Sequence, residues 1–191
     1  MKNNVFVLFG INGVGKSTIA RALAERVPDS AALSGSELLM RAFRGLDRYQ
    51  LEILSPEEKM RLLVPAFLQA FEQHASARRI ILDTHLVVPI RKSGRLVLEN
   101  VWSDAFMPHV GSAFFVSSGP EEILRRRVRD YRATGRQRDA DIDHIRRDQE
   151  INLRVFEETF ASFASSSKTS VIMNEELRLD DTVRLIAGMI A

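Results

Sequence analysis

The stretch Gly10-Ile11-Asn12-Gly13-Val14-Gly15-Lys16-Ser17-Thr18 constrains this chain more than any other. It fits G-x-x-x-x-G-K-[ST], a loop whose backbone N–H groups wrap phosphate oxygens. Just before it, Val5–Phe9 is a wholly apolar run that suits a strand buried on both faces. Just after it, Ile19, Leu23 and Val27 recur at four-residue steps, so 19–27 reads as a helix. Strand, glycine turn and helix together are the context the motif requires. The glycines let the backbone close on an anion, and the positive end of the helix attracts it. The candidate triphosphate-binding residues are therefore Gly10, Asn12, Gly13, Val14, Gly15, Lys16, Ser17 and Thr18. Lys16 is expected to reach the β- and γ-phosphates and the Ser17 hydroxyl to coordinate Mg²⁺, which makes ATP and Mg²⁺ the expected cofactors.

Bulk composition narrows the field. With 191 residues the chain is expected to form one domain, 1–191, large enough to bury a core without staples. There is no cysteine, which excludes disulfides, thiol catalysis and cysteine-ligated metals. The four histidines are scattered without ligand spacing, so no transition-metal site is expected. The N-terminus enters the first strand without a signal-peptide pattern, and no apolar run approaches the roughly 18 residues of a membrane span. The expectation is a cytoplasmic protein with no membrane contact. Of 27 basic residues 22 are Arg, and seven of those fall between Arg125 and Arg138. Arginine holds phosphate through a planar fork of donors, so the cluster points to a second phosphate contact. It would also suit nucleic acid, but aromatics are 7% of the chain and only Tyr131 is interleaved with the cluster. Nucleic acid is not the expected partner.

Further along, Ala31-Ala32-Leu33 reads as a short strand and Ser36–Phe43 as a helix capped by Ser36. Ser55-Pro56-Glu57-Glu58 carries a capping box with proline at the first helical position. The helix it opens, kinked near Pro65, directs Leu62, Leu63, Ala66, Phe67, Ala70 and Phe71 to the core. Ile80-Ile81-Leu82-Asp83 is a buried strand ending in an acid. In an open parallel sheet ligands gather at the carboxyl ends of strands, so Asp83 is expected beside the loop, orienting a water on Mg²⁺. Lys92-Ser93-Gly94 has turn chemistry, and no element is assigned to 101–107, where Trp102 is expected to pack. Strands at 113–116 and 171–173 and helices from Pro120, Asp141 and Asp180 complete an alternating pattern. The fold class is α/β, a three-layer P-loop NTPase fold with a parallel sheet of about five strands.

The loop alone leaves the reaction open. No N-K-x-D segment for reading guanine is present, and the chain is short for an AAA+ module with its helical lid. A small phosphotransferase remains. Such an enzyme holds a second substrate opposite the γ-phosphate and excludes water, usually with a mobile lid.

At this level the residues resemble archaeal-type adenylate kinases, a family of P-loop nucleoside monophosphate kinases. The likeness rests on the Gly10–Thr18 loop, Leu82-Asp83-Thr84-His85 with Ser93-Gly94 downstream, and Arg126-x-x-Arg129-Asp130 followed by Arg136-x-Arg138-Asp139. Ile151-Asn152 and Val171-Ile172-Met173-Asn174 extend it, and the element order matches from residue 5 to about 190. The resemblance implies ATP + AMP giving two ADP, with Mg²⁺, and a family that is often trimeric implies a homo-oligomer. It implies a lid over about 130–141 carrying Arg129, Arg136 and Arg138, which with Lys16 and Asp83 form the expected catalytic set. Arg126 is expected near the adenine or phosphates of ATP, and Arg132 in solvent. The acceptor side is expected over about 34–75, with Ser36, Arg41, His85 and Arg91 as substrate-binding candidates. Two segments depart from the family. Gly35-Ser36-Glu37 stands where Gly-Asp is usual, and 95–108 diverges and is longer. Both lie on the acceptor side. The alternatives are a kinase for another nucleoside monophosphate or a small metabolite, or a nucleotide-binding ATPase or regulator.

Overall fold

A computed structural model describes residues 4–46, 50, 54–92, 95–135, 138–164, 168–175 and 178–191, with backbone alone over 88–92, 95–97 and at 164. Its centre is a fully parallel sheet of β1 (Val5–Phe9), β2 (Ser30–Ser34), β3 (Arg79–Asp83), β6 (Val110–Ser117) and β7 (Thr169–Met173), in the order β2-β3-β1-β6-β7. The expected three-layer α/β architecture with five parallel strands is the one observed. Register pairs Val5 with Ile80 and Leu8 with Asp83 on one side, and Phe9 with Phe115 on the other. The motif strand β1 is therefore central, and the carboxyl ends of β1 and β3 finish level with each other.

Strand alternation divides the core. Val5, Val7, Phe9, Ile80, Leu82 and Phe115 face one way, toward helix α3 (Pro56–Gln73) and helix α5 (Ile142–Thr159). Leu8, Ile81, Phe114 and Val116 face the other, toward α1 (Lys16–Arg26), α4 (Pro120–Thr134) and α7 (Leu179–Ile190). Period-two alternation with both faces apolar is the signature of a strand sandwiched between helices. On the first face Phe9, Trp102, Phe106 and Phe160 meet with ring centroids between 4.9 and 6.0 Å, so Trp102 packs in the core.

Helix α3 begins as its sequence dictates. The Ser55 hydroxyl accepts from the Glu58 N–H at 3.2 Å, and Glu58 accepts from the Ser55 N–H at 2.7 Å. The helix runs through Pro65 and buries Leu63, Phe67, Ala70 and Phe71, while Leu62 is 39% exposed. Helix α2 (Gly35–Ala42) starts two residues earlier than Ser36 would allow as a cap. Ser34 is the N-cap, and the Ser36 hydroxyl lies inside the first turn, 3.0 Å from that of Ser34. Gly35 is needed there because a Cβ would run into Thr84 and the Asp83 carbonyl.

The largest departure from the alternating pattern lies after β3. Val87–Lys92 (β4) and Arg95–Asn100 (β5) form an antiparallel hairpin outside the main sheet, with Val87 opposite Asn100, and a 3₁₀ helix (Asp104–His109) follows. Pro89 is compatible with such a two-stranded ribbon, where one side of each strand has no ladder to feed. The hairpin is pinned to α3 by an ion pair between Lys59 and Glu99 at 2.9 Å. A short helix α6 (Ala161–Ala164) closes the stretch after α5.

Candidate active site

The loop between β1 and α1 turns on glycines held at φ of +138°, +97° and +98° at Gly10, Gly13 and Gly15. At Gly10 a side chain is excluded twice over, by that φ and by the Val116 carbonyl. The loop is locked from outside. Arg126 donates to the Val14 carbonyl at 3.0 Å and to the Asn174 carbonyl at 3.1 Å, and its Nε pairs with Glu122 at 2.6 Å. The Asn174 amide donates to the same Val14 carbonyl at 2.7 Å. Arg127, only 6% exposed, donates to the Asn12 carbonyl at 3.0 Å and to the Asp139 carbonyl at 2.6 Å, so one guanidinium clasps the loop to the segment after α4.

Within this frame Lys16 is 5% exposed and donates to the Gly10 and Ile11 carbonyls at 2.8 and 3.0 Å. Burial lowers its pKa to about 8, against the opposing pull of Asp83. The Ser17 hydroxyl donates to the Asp83 carboxylate, which joins the first turn of α1 to the end of β3. A hydroxyl and a carboxylate in contact are the hard oxygen donors that Mg²⁺ takes, so this pair fits the ion. Among the described residues no group of three or more His, Asp or Glu could hold a metal by itself.

A cleft of about 600 Å³ opens over the loop. Asn12, Gly13, Gly15, Lys16, Ser17 and Thr18 line its floor, and Asp83 and His85 its β3 side. Arg126, Arg129 and Arg138 line the opposite wall, and Ser36 reaches in from α2. His85 is neutral at physiological pH, because the positive charge of Lys16 and then burial push its pKa down to about 3. Arg138 pairs with Asp130 at 3.3 Å. Gly135, at φ +70°, ends α4, so residues 130–134 of the expected lid are helical.

Several expected positions stand elsewhere. Arg41, on the last turn of α2, is exposed and does not line the cleft. The side chain of Val14 is buried in the core, and this residue faces the site only through the loop backbone. Arg136 and the side chain of Arg91 lie outside the described residues. Arg132 is exposed, as expected.

Three site residues carried no assigned role in the sequence reading. Asn174 follows the last residue of β7, and the rule that ligands gather at strand carboxyl ends would have found it. Glu122 stands three and four residues before Arg125 and Arg126, a spacing that joins side chains on a helix, and it pairs with both. Arg127 had no separate signal within its run of arginines.

Comparison with known proteins places this geometry. The sequence profile of the family described as AAA domain matches residues 9–146, so the chain belongs to that family. Length had set an AAA+ module aside. The match rests on the stretch from the end of β1 into α5, and length speaks only to what would be appended to it. No curated protein matches the chain. Among solved structures the chain is similar to a shikimate kinase from Bacteroides thetaiotaomicron, with 15% identity, 98% of both chains covered and a TM-score of 0.57. It is similar to TT1252 from Thermus thermophilus, with 17% identity, 99% and 97% covered and a TM-score of 0.57. It is also similar to a gluconokinase from Sinorhizobium meliloti, with 15% identity, 98% and 91% covered and a TM-score of 0.53. At these identities the likeness establishes the P-loop NTPase fold.

Proposed function

We propose that this protein is a P-loop kinase that transfers the γ-phosphate of ATP to a small acceptor. The observation that carries the reading is the placement of Lys16, Ser17, Asp83 and Arg138 around one cleft whose floor is the glycine loop. Phosphoryl transfer asks mainly for alignment and neutralisation of charge on the equatorial oxygens. The loop N–H groups and Lys16 supply a fixed positive lining, and Arg129 and Arg138 add charge from the opposite wall. Ser17 and Asp83 are the residues that would hold Mg²⁺, which would supply neutralisation of phosphate charge.

A hydroxyl-bearing metabolite is the better-supported acceptor. Two solved neighbours are by name kinases of shikimate and of gluconate, and Arg41, the expected anchor for a monophosphate, stands outside the cleft. With such an acceptor a new bond forms between its oxygen and the γ-phosphorus. The bond from that phosphorus to the β–γ bridging oxygen breaks with its electron pair leaving on ADP, and the hydroxyl proton passes to Asp83. His85, neutral because the charge of Lys16 and burial push its pKa down to about 3, serves as a hydrogen-bonding wall.

The second reading is AMP as acceptor, with two ADP formed. It is favoured by the Asp83-Thr84-His85 motif joined to the arginine pattern, and by Arg129 and Arg138 on the cleft. A phosphate acceptor is already anionic and needs little base. A coupled assay for ADP over AMP, CMP, UMP, GMP, deoxynucleoside monophosphates, shikimate and gluconate tests both. Acceptor-dependent ADP formation is expected, and its identity chooses between the readings. ATP binding with no acceptor-dependent ADP from any small molecule would overturn the kinase assignment.

A further inference from the structure

A second cavity, of about 330 Å³, lies behind the first. The two share Asn12, His85, Arg127 and Arg138 as walls. His85, Arg127 and Arg138 lie close enough to Lys16 for their charges to interact, and a loop lysine of this kind reaches the β- and γ-phosphates. The rear cavity is also lined by Val87 and Leu98 of the hairpin, by Asp148 and Asn152 of α5, and by Asp139 ahead of it. Its volume is at the small end of the roughly 300–1,000 Å³ usual for small-molecule sites.

Two of its lining side chains, Asn152 and Arg138, each carry a buried polar atom without a partner among the described residues. Asn152 is 4% exposed, and its Nδ2 donates to the Asp148 carbonyl at 2.9 Å. An amide oxygen could not face that carbonyl, so Oδ1 is the other end, and it has no hydrogen-bond partner among the described residues. The buried Nε of Arg138 likewise has none. Leaving buried polar atoms unpaired costs stability, so a pair of them around one cavity calls for a ligand. One atom accepts and the other donates. A hydroxyl can serve either, whereas a carboxylate or phosphate would serve only the donor. Asp148 adds a half-buried carboxyl group, whose oxygens can accept from a hydroxyl. Val87 and Leu98 offer apolar contact to the C–H face of a ring or chain.

The geometry points to the rear cavity as the acceptor site, reading an uncharged polyhydroxylated metabolite of sugar or polyol size through Asn152, Asp148 and Arg138. This rests on the kinase reading above and names the acceptor class within it. In the transfer, one acceptor hydroxyl passes the Asn12–His85 boundary and bonds to the γ-phosphorus. ADP leaves with the bridging oxygen, and the proton goes to Asp83.

The test is a coupled ADP assay with glucose, xylitol and myo-inositol, set beside AMP and gluconate, on the wild type, Asn152→Leu and Asp148→Asn. Transfer to at least one uncharged polyol is expected. Asn152→Leu should raise its KM about three- to tenfold, the range for one neutral hydrogen bond, with the KM for ATP unchanged. Asp148→Asn, a milder change on a half-buried side chain, should move the same constant in the same direction. A thermal melt of Asn152→Leu should be no lower than that of the wild type, because the variant removes an unpaired acceptor. AMP or gluconate as the only acceptor, or an unchanged polyol KM in both variants, would overturn the inference and leave the kinase assignment standing. ATP binding without transfer to any of the five would overturn the inference, and the kinase assignment falls with it only when shikimate and the other nucleoside monophosphates also yield no ADP.

Discussion

The donor side and the acceptor side of this molecule are built on opposite terms. On the donor side the protein satisfies its own polar groups. Arg126 and Asn174 both hold the Val14 carbonyl, Arg127 holds that of Asn12, Glu122 holds Arg126, and Lys16 is bonded to two loop carbonyls. On the acceptor side Asn152 Oδ1 and Arg138 Nε are buried without partners. A cradle for a chemically constant triphosphate can be finished in advance, and rigidity there keeps the transition-state field in place. A pocket that must recognise one particular acceptor leaves its recognition atoms for that acceptor to fill.

The sharpest way to break this comparison is Lys16→Ala. Turnover should fall by about a thousandfold, on the scale of losing one preorganised charge at the reacting phosphate. Stability should hold, because the lysine is desolvated in the folded state and its loss relieves that penalty. Near-normal turnover would remove the loop from the chemistry altogether.

Arg138→Ala comes next, with kcat lowered about ten- to a hundredfold and ATP affinity little changed if its contact is made in the transition state. An effect confined to the acceptor KM would move Arg138 wholly to the acceptor side.

Lys16 also titrates, and the sign can be followed. Its folded pKa near 8 is below the ordinary 10.5, so between these values the unfolded chain holds more protons than the folded one. Stability therefore rises with pH across that window through this residue. The wild-type minus Lys16→Ala difference in denaturant-derived stability should show that rise. ATP affinity runs the other way, falling as pH passes 8, up to about tenfold per pH unit. Binding above pH 8 should take up a proton, measurable by calorimetry in buffers of different ionisation enthalpy. A pH-independent affinity between 7 and 9 would mean that Lys16 does not meet the phosphates.

The smallest effect is expected at Asn174→Ala. Val14 keeps Arg126 as a donor and the Thr182 hydroxyl is bonded to Asn174 only at 3.4 Å, so the melt should register a loss of about 1 kcal/mol. A much larger loss would make Asn174 the main support of the loop.

Much of the donor side was legible because its signals are local. The glycine positions, the apolar β1 run and the four-residue steps of α1 are properties of neighbouring residues, and the capping box at Ser55 and Glu58 formed as read. The edges of elements were less so. Ser36 looked like a helix cap, but Ser34 took that place because Gly35 had to pass close under Thr84. The β4–β5 hairpin was hidden by Pro89 and by an alternating pattern elsewhere that suggested strand always followed helix.

The sequence by itself determined a phosphate-binding loop at the head of a doubly wound parallel sheet. Glycine conformation and side-chain periodicity need no long-range partner to be recognised. Only the tertiary structure decided which of seven clustered arginines clasp the loop, that Arg41 stands outside, and that His85 is neutral beside a buried lysine. It alone brought Val87, Leu98, Asp148 and Asn152 around one cavity. Those outcomes depend on contacts between residues as many as 115 positions apart, as in the Arg127–Asn12 bond. Burial and distance across such separations are set by packing, which no short stretch of sequence encodes.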